Sequence, residues 1–187
     1  MRKRIFDLTA AVLLLICLSL PLIVLAVIIK LTSRGPVFYC SDRIGKNNKI
    51  FKMYKFRSMR QDTPPVATHL FKNAAKFLTP AGSFLRNYSL DELPQLFNVL
   101  KGDMSFVGPR PALFNQDDLI ELRTKKNIHT LTPGVTGWAQ VNGRDDLPIP
   151  VKVSFDEYYL NHRTLSLDLY ILFLTVIKVV KKEGIQH

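Results

Sequence analysis

The stretch LTAAVLLLICLSLPLIVLAVII, residues Leu8 to Ile29, decides how this chain is built. Its 22 residues carry no charge, and only Thr9, Cys17, Ser19 and Pro21 interrupt the aliphatic run. As a straight helix it would measure roughly 33 Å, enough to cross a hydrocarbon layer of about 30 Å. A cleaved signal peptide fits less well, because the run is long and no small-residue cleavage pattern precedes Lys30. Arg2, Lys3 and Arg4 stand before the run; Lys30, Arg34, Arg43, Lys46, Lys49 and Lys52 follow it. Both basic flanks prefer the cytoplasmic side of a membrane, and a straight span satisfies only one of them. Pro21 removes a backbone donor and bends a helix, and the Ser19 hydroxyl can bond a carbonyl freed there. The pattern predicts a helix that enters a bilayer, turns near Ser19–Pro21 and leaves by the same face. A tilted single span with a mild kink is the alternative.

The charge distribution extends this reading. The chain of 187 residues has 26 Lys and Arg against 15 Asp and Glu, a net charge of +11. Residues 1–60 hold 12 of the bases and 2 of the acids, so nearly all the excess is N-terminal, beside the apolar run. Nucleic-acid binders do not usually wrap their charge around such a helix, whereas anionic head groups of an inner leaflet match it. Hydrophobic residues at 47% exclude whole-chain disorder, and 2 Cys exclude a disulfide scaffold. Near the C-terminus, Leu169 to Ile177 is nearly all apolar but too short to span. With Asp168 before it and Lys178, Lys181 and Lys182 after it, it reads as an interfacial helix or, equally, a buried one.

Residues 36–187 read as one small cytoplasmic domain of mixed α/β class, mostly helical, following a membrane segment of residues 1–35. Lys49 to Arg60 reads as a strand, which would put Lys55 and Arg57 on one face roughly 7 Å apart, able to grip adjacent phosphates. A solvated basic edge strand is the plainer account of the pair. Gln61 to Phe71, with Pro64-Pro65, reads as a loop. Helices are expected over Leu96–Leu100, ending near Gly102, over Asp117–Lys126, and through most of Tyr158–Val180. Gly108-Pro109-Arg110-Pro111 reads as a rigid turn carrying one guanidinium, and Pro133-Gly134 and Asn142-Gly143 as turn signals.

The chemistry concentrates in Ser89-Leu90-Asp91-Glu92-Leu93-Pro94-Gln95-Leu96. Ser89 and Glu92 have capping-box spacing, so Asp91 and Glu92 fall in a first helical turn, where acids are common for dipole reasons alone. Pro94 disturbs that start, and the helix can instead begin with Pro94 at its first position. Adjacent carboxylates point about 100° apart on a helix, which suits divided labour. One can attack phosphorus, and the other can hold Mg²⁺, which takes one or two carboxylates plus substrate phosphates. Lys55, Arg57, Arg86, Arg110 and Arg144 can neutralise phosphoryl oxygens. No Walker or dinucleotide-binding glycine pattern is present, and His69, His129, His162 and His187 show no metal spacing.

At these residues the chain resembles the bacterial sugar transferases, the monotopic phosphoglycosyl transferases that begin glycan assembly on polyprenyl phosphate. The resemblance runs through the apolar segment, Lys52-Met53-Tyr54-Lys55-Phe56-Arg57-Ser58-Met59, and Ser89-Leu90-Asp91-Glu92-Leu93-Pro94-Gln95. It continues through Lys101-Gly102-Asp103-Met104-Ser105, Gly108-Pro109-Arg110-Pro111, Pro133-Gly134-Val135-Thr136-Gly137 and Gln140-Val141-Asn142-Gly143-Arg144. It implies transfer of a sugar 1-phosphate from a UDP-sugar to undecaprenyl phosphate with release of UMP. Asp91 is then the nucleophile that carries the phosphosugar, Glu92 the Mg²⁺ carboxylate and Arg110 a phosphate contact. Asp156 and Asp168 match acidic positions of the family, as site or structural residues. The family's re-entrant helix breaks at a Ser-Pro pair, and here the serine stands one residue away, in Ser19-Leu20-Pro21. The implied location is the bacterial inner membrane, facing the cytoplasm, with downstream glycosyltransferases as partners. A non-catalytic, basic membrane-surface adaptor is the competing reading. Donor specificity is expected in the loops Gln61–Phe71 and Arg144–Val151.

Overall fold

The computed structural model describes residues 2–61, 63, 74–143 and 147–181. The apolar run divides into two helices, α1 (Arg2–Cys17) and α2 (Ser19–Thr32), bent by 63° at Leu18. Among the described residues no single helix is long and apolar enough to cross a membrane. The break puts Pro21 in the first turn of α2, where its missing N–H is no loss. The Ser19 hydroxyl donates to the Ile16 carbonyl at 2.8 Å, on the α1 side of the bend.

Strands β1 (Phe38–Ile44) and β2 (Ile50–Phe56) form an antiparallel hairpin, joined on the β1 side by the short β4 (Ala112–Leu113). Strands β3 (Ser105–Val107) and β5 (Gly134–Thr136) make a separate parallel pair. Helices α3 (Gly82–Asn87), α4 (Gln95–Lys101), α5 (Asp117–Lys125), α6 (Trp138–Val141), α7 (Ile149–His162) and α8 (Leu165–Lys181) supply the rest. The fold is mixed α/β and mostly helical, as the sequence predicts. The helix expected over Tyr158–Val180 is two helices, with the break at Arg163–Thr164. Pro133-Gly134 leads into β5 rather than forming a simple turn.

Two apolar clusters organise the packing. The larger gathers Met53, Leu96, Val99, Phe106, Val153, Tyr159 and Ile171, with Ala11 of α1 fully buried in it. The smaller, Ile29, Phe56 and Leu85, lies under α2 and receives Leu22, Leu25, Leu90 and Leu93 at its edge. The start of α1 is bound to the domain by polar contacts. Arg4 donates to the Val99 and Leu100 carbonyls at 2.6 and 2.8 Å, capping the C-terminus of α4. Asp7, 3% exposed, accepts the Phe106 N–H at 3.2 Å. Outward, α2 presents Leu20, Ile23, Val24, Val27 and Leu31, and α8 presents Leu165, Leu169, Phe173, Val176 and Val180 at helical spacing. Exposed apolar stripes of this extent are unusual on a freely soluble domain and mark an interaction surface.

Candidate active site

Between α3 and α4 the chain makes one 3₁₀ turn, Leu90–Glu92. Ser89, which precedes it, sits in the left-handed region with φ +53° and makes no side-chain cap bond. The capping box predicted from Ser89 and Glu92 therefore does not form. The helix starts later, with Pro94 as the residue before α4, one place short of the first-position alternative. Leu90 and Leu93 pack on the Ile29, Phe56 and Leu85 cluster, so the turn that carries Asp91 and Glu92 is held from both sides.

Asp91 is 7% exposed. Lys55, near the end of β2, places Nζ 2.7 Å from Glu92 Oε1 and 3.9 Å from Asp91 Oδ2. Arg110 Nη1 lies 3.7 Å from the same Glu92 oxygen. Arg86, the last basic residue of α3, stands close enough to act electrostatically on both carboxylates. Burial pushes the Asp91 carboxyl above its ordinary range, and Glu92 adds to that, while Lys55, Arg86 and Arg110 pull it down. The result is a sheltered carboxylate facing three cations, with a second carboxylate already paired to two of them. Such a set can receive a dianionic diphosphate, because the cations exchange one anionic partner for another.

The Arg110 turn is fixed from behind. Gly108 N–H donates to Thr136 at 2.9 Å and Gly134 N–H to Pro109 at 3.0 Å. A Cβ on Gly134 would stand 2.1 Å from the Gly108 nitrogen, so only glycine lets the two segments meet. Arg123 of α5 donates from Nη1 to the Arg110 carbonyl at 2.8 Å. Its Nε and Nη2 reach Asp156 Oδ2 at 3.0 and 2.6 Å, and both side chains are buried. Burial raises the Asp156 pKa, and Arg123 opposes the rise. Asp156 thus serves the site by holding Arg123 against the Arg110 backbone.

Asp168 has a different task. It is 2% exposed, accepts Lys3 Nζ at 2.7 Å and the Tyr159 hydroxyl at 2.6 Å, and so ties α8 to the start of α1. Burial and this hydrogen bond push the Tyr159 phenol far up, so it acts as a donor throughout the physiological range.

Two further predicted site residues fall elsewhere. The strand stops at Phe56, and Arg57, the residue after it, is not brought to the carboxylates that Lys55 meets. It turns under the end of α2 and donates to the Ser33 and Arg34 carbonyls. Arg144 lies outside the described residues, as do most of the Gln61–Phe71 loop and the first part of Arg144–Val151. Ile149 to Val151 already belong to α7. The sequence reading missed Arg123 and Asn98. Asn98, fully buried in α4, donates to the Lys52 carbonyl at 2.7 Å and accepts the Tyr54 N–H at 3.0 Å, which registers β2 and hence Lys55 against α4. An asparagine amid the apolar residues of a short helix was the available signal.

A family model described as bacterial sugar transferase matches residues 1–182. The chain belongs to that family. Membership makes it an enzyme, a sugar transferase rather than a non-catalytic adaptor. This bacterial sugar transferase is 44% identical over 187 residues to an uncharacterised sugar transferase, EpsL, of Bacillus subtilis (strain 168), covering 99% of this chain and 90% of that one. It is 43% identical over 189 residues to the undecaprenyl-phosphate glucose phosphotransferase of Komagataeibacter xylinus, covering 94% of this chain and 35% of the relative. The UDP-glucose:undecaprenyl-phosphate glucose-1-phosphate transferase of Escherichia coli (strain K12) matches at 41% over 184 residues, 94% of this chain and 39% of the relative. The chain thus spans little more than a third of these last two proteins.

Proposed function

We propose that this chain transfers a sugar 1-phosphate from a UDP-sugar to undecaprenyl phosphate, with release of UMP, through a phosphosugar carried on Asp91. The observation that carries the proposal is the burial of Asp91 among Lys55, Arg86 and Arg110 with Glu92 beside it. An Asp91 oxygen attacks the sugar-linked phosphorus. The bond from that phosphorus to the bridging oxygen breaks, and UMP leaves with that oxygen. A phosphate oxygen of the lipid then attacks the same phosphorus, the bond to Asp91 breaks, and the carboxylate is restored. The three cations face the oxygens on which negative charge is held during both displacements.

Mg²⁺ fits the donor set within limits. Among the described residues no three metal-ligating side chains converge, but Asp91 and Glu92 meet the small protein requirement of an ion that takes its other ligands from phosphate and water. Glu92, with Asp91 as second candidate, would hold it, and it would supply further neutralisation of the diphosphate.

The same reading places the domain on the cytoplasmic face of the bacterial inner membrane, with α1 and α2 as a re-entrant pair docked among anionic lipids. Supporting it, both ends of the pair are bound to one domain: Lys3, Arg4 and Asp7 to α8, α4 and β3, and the end of α2 to Arg57. Two ends held by one folded body lie on one side of a bilayer. The exposed stripe of α8 gives a further apolar surface for the interface.

The test is a UMP-release screen across UDP-sugars, in nanodiscs containing undecaprenyl phosphate, with and without Mg²⁺. The expected result is release from at least one UDP-sugar, a mass-spectrometric adduct on Asp91, and neither in Asp91→Asn. Product formation by Asp91→Asn at the wild-type rate would refute the mechanism.

A further inference from the structure

Beyond holding the end of α2, Arg57 has no part in the chemistry proposed above, and its surroundings are unusual. It is 4% exposed, yet its hydrogen bonds go to neutral oxygens only: Arg34 O at 2.7 Å from Nη1, and Ser33 O and Oγ at 2.9 and 2.6 Å from Nη2. Its Nε is buried without a partner. Among the described residues no carboxylate pairs with it. A buried cation that lacks a counter-charge is costly to keep, and the cost falls when an anion binds beside it. The backbone is shaped around this group. Gly35 has φ +118°, and a Cβ there would lie 2.1 Å from Nη1.

The guanidinium lines a cavity of about 840 Å³. Arg34 and Arg60 add two more cations, Thr79 and Ser83 add hydroxyls, and Leu78 and Pro80 give it an apolar side. Ser33 and Arg34 directly follow α2, the second limb of the apolar pair, so the cavity opens where the chain leaves that limb. A hydrogen-bond relay connects its lining to the candidate active site. Thr79 donates from N and Oγ1 to the Ser58 carbonyl at 3.0 and 3.3 Å, and the Ser58 hydroxyl accepts Arg86 Nε at 3.1 Å.

We infer that this cavity seats the phosphate monoester of the acceptor lipid, held by Arg34, Arg57 and Arg60, with the first isoprenoid units against Leu78 and Pro80. The inference rests on the reading that the acceptor is a polyprenyl phosphate. Charge and location both argue for it. Three guanidiniums match a phosphate dianion, the mixed lining matches a head group with an apolar stem, and Ser58 joins the cavity to the arginine that faces Asp91.

The test compares the full-length wild type with Arg34→Gln/Arg60→Gln, leaving Arg57 in place because it holds the end of α2. In nanodiscs of neutral lipid, the KM for polyprenyl phosphate is expected to rise at least about ten-fold, with the KM for UDP-sugar shifting less than about two-fold. An unchanged acceptor KM, or a rise confined to the donor, overturns the site. A second readout needs no turnover: thermal stabilisation of detergent-solubilised protein by farnesyl phosphate, farnesol, inorganic phosphate or phosphatidylglycerol. Farnesyl phosphate is expected to stabilise wild type most and the double variant little. Equal stabilisation by inorganic phosphate or phosphatidylglycerol would mean a plain anion or bilayer-lipid site, and would overturn the assignment. If the wild type releases no UMP, the reaction fails as a reading, and the thermal comparison still decides whether the cavity takes a lipid phosphate.

Discussion

Replacing Asp156 by Asn tests whether the carboxylate positions Arg110 or acts on substrate. The change keeps an amide oxygen beside Arg123 but removes the negative charge that its Nε and Nη2 now face, leaving a buried guanidinium with only neutral partners, that amide and the Arg110 carbonyl. Removing one member of a buried ion pair costs about 3–5 kcal/mol. In a chain of this size each kcal/mol moves the midpoint by about 2–4 °C, so a loss of about 10 °C is expected. Replacing a buried ion pair by well-packed apolar residues of similar volume is often neutral or stabilising, because the desolvation of both charges is avoided. Arg123→Met/Asp156→Leu is therefore expected to recover most of the stability. It does not recover activity, because the Arg110 carbonyl has lost its donor and the guanidinium 3.7 Å from Glu92 is free to shift. A displacement of about 1 Å at such a point costs about 100-fold in rate. The assays are thermal unfolding in nanodiscs and UMP release at saturating and limiting donor. If Asp156→Asn keeps its melting temperature while losing more than about 10³-fold in kcat, Asp156 touches the reacting groups and the positioning argument is wrong. Full activity in the double variant would refute it from the other side.

Two further outcomes follow from the same structure. Because burial raises the Asp91 pKa, its folded form favours the proton: the contribution to stability is fully present below the unfolded value of about 3.9 and is lost as pH rises through the raised folded value. Asp91→Asn, inactive, is accordingly expected to melt no lower than wild type at pH 7 without divalent ion, and the wild-type donor half-reaction to gain rate as pH rises through that same ionisation; a markedly lower melting point would contradict the sign. Single cysteines at positions 2 and 30 are expected to label from the same side of the membrane, and to do so still in Pro21→Leu, since the contacts of Arg4 and Asp7 do not depend on the proline; opposite-side labelling in the wild type would sink the re-entrant reading.

What the sequence could reveal was decided by range along the chain. The apolar run and its proline, the stop of α4 at Gly102, the α5 helix and the Asp91-Glu92 dyad are local patterns, and each appears near its predicted place. The break falls at Leu18 because a proline is tolerated in a first helical turn, so the bend lies just before it rather than on it. Arg57 was misplaced because two-residue alternation holds only while the strand lasts, and the strand ends where Arg57 finds the carbonyls at the end of α2. The tasks of Asp156 and Asp168 were beyond reach for the same reason. Their basic partners are 33 and 165 residues away, and one acidic residue on a helix looks like another until those partners arrive.

On the proposed re-entrant reading, the α1–α2 pair does more than anchor the enzyme. Arg4 caps the far end of α4, the helix that begins just after Glu92, while Leu22 and Leu25 of α2 pack on the cluster that seats Leu90 and Leu93. Both limbs therefore bear on the short turn that carries Asp91, the proposed nucleophile, one through its following helix and one through its flanking leucines. If the pair is embedded as proposed, a body joined at these points could not tilt against the bilayer without moving Asp91. In the proposed reaction one substrate diffuses in three dimensions and the other is confined to a plane, so the height of Asp91 above that plane is a catalytic parameter. On that reading packing would set the height, through the bend at Leu18 and the residues on either side of it, where a domain on a flexible tether would leave it unset.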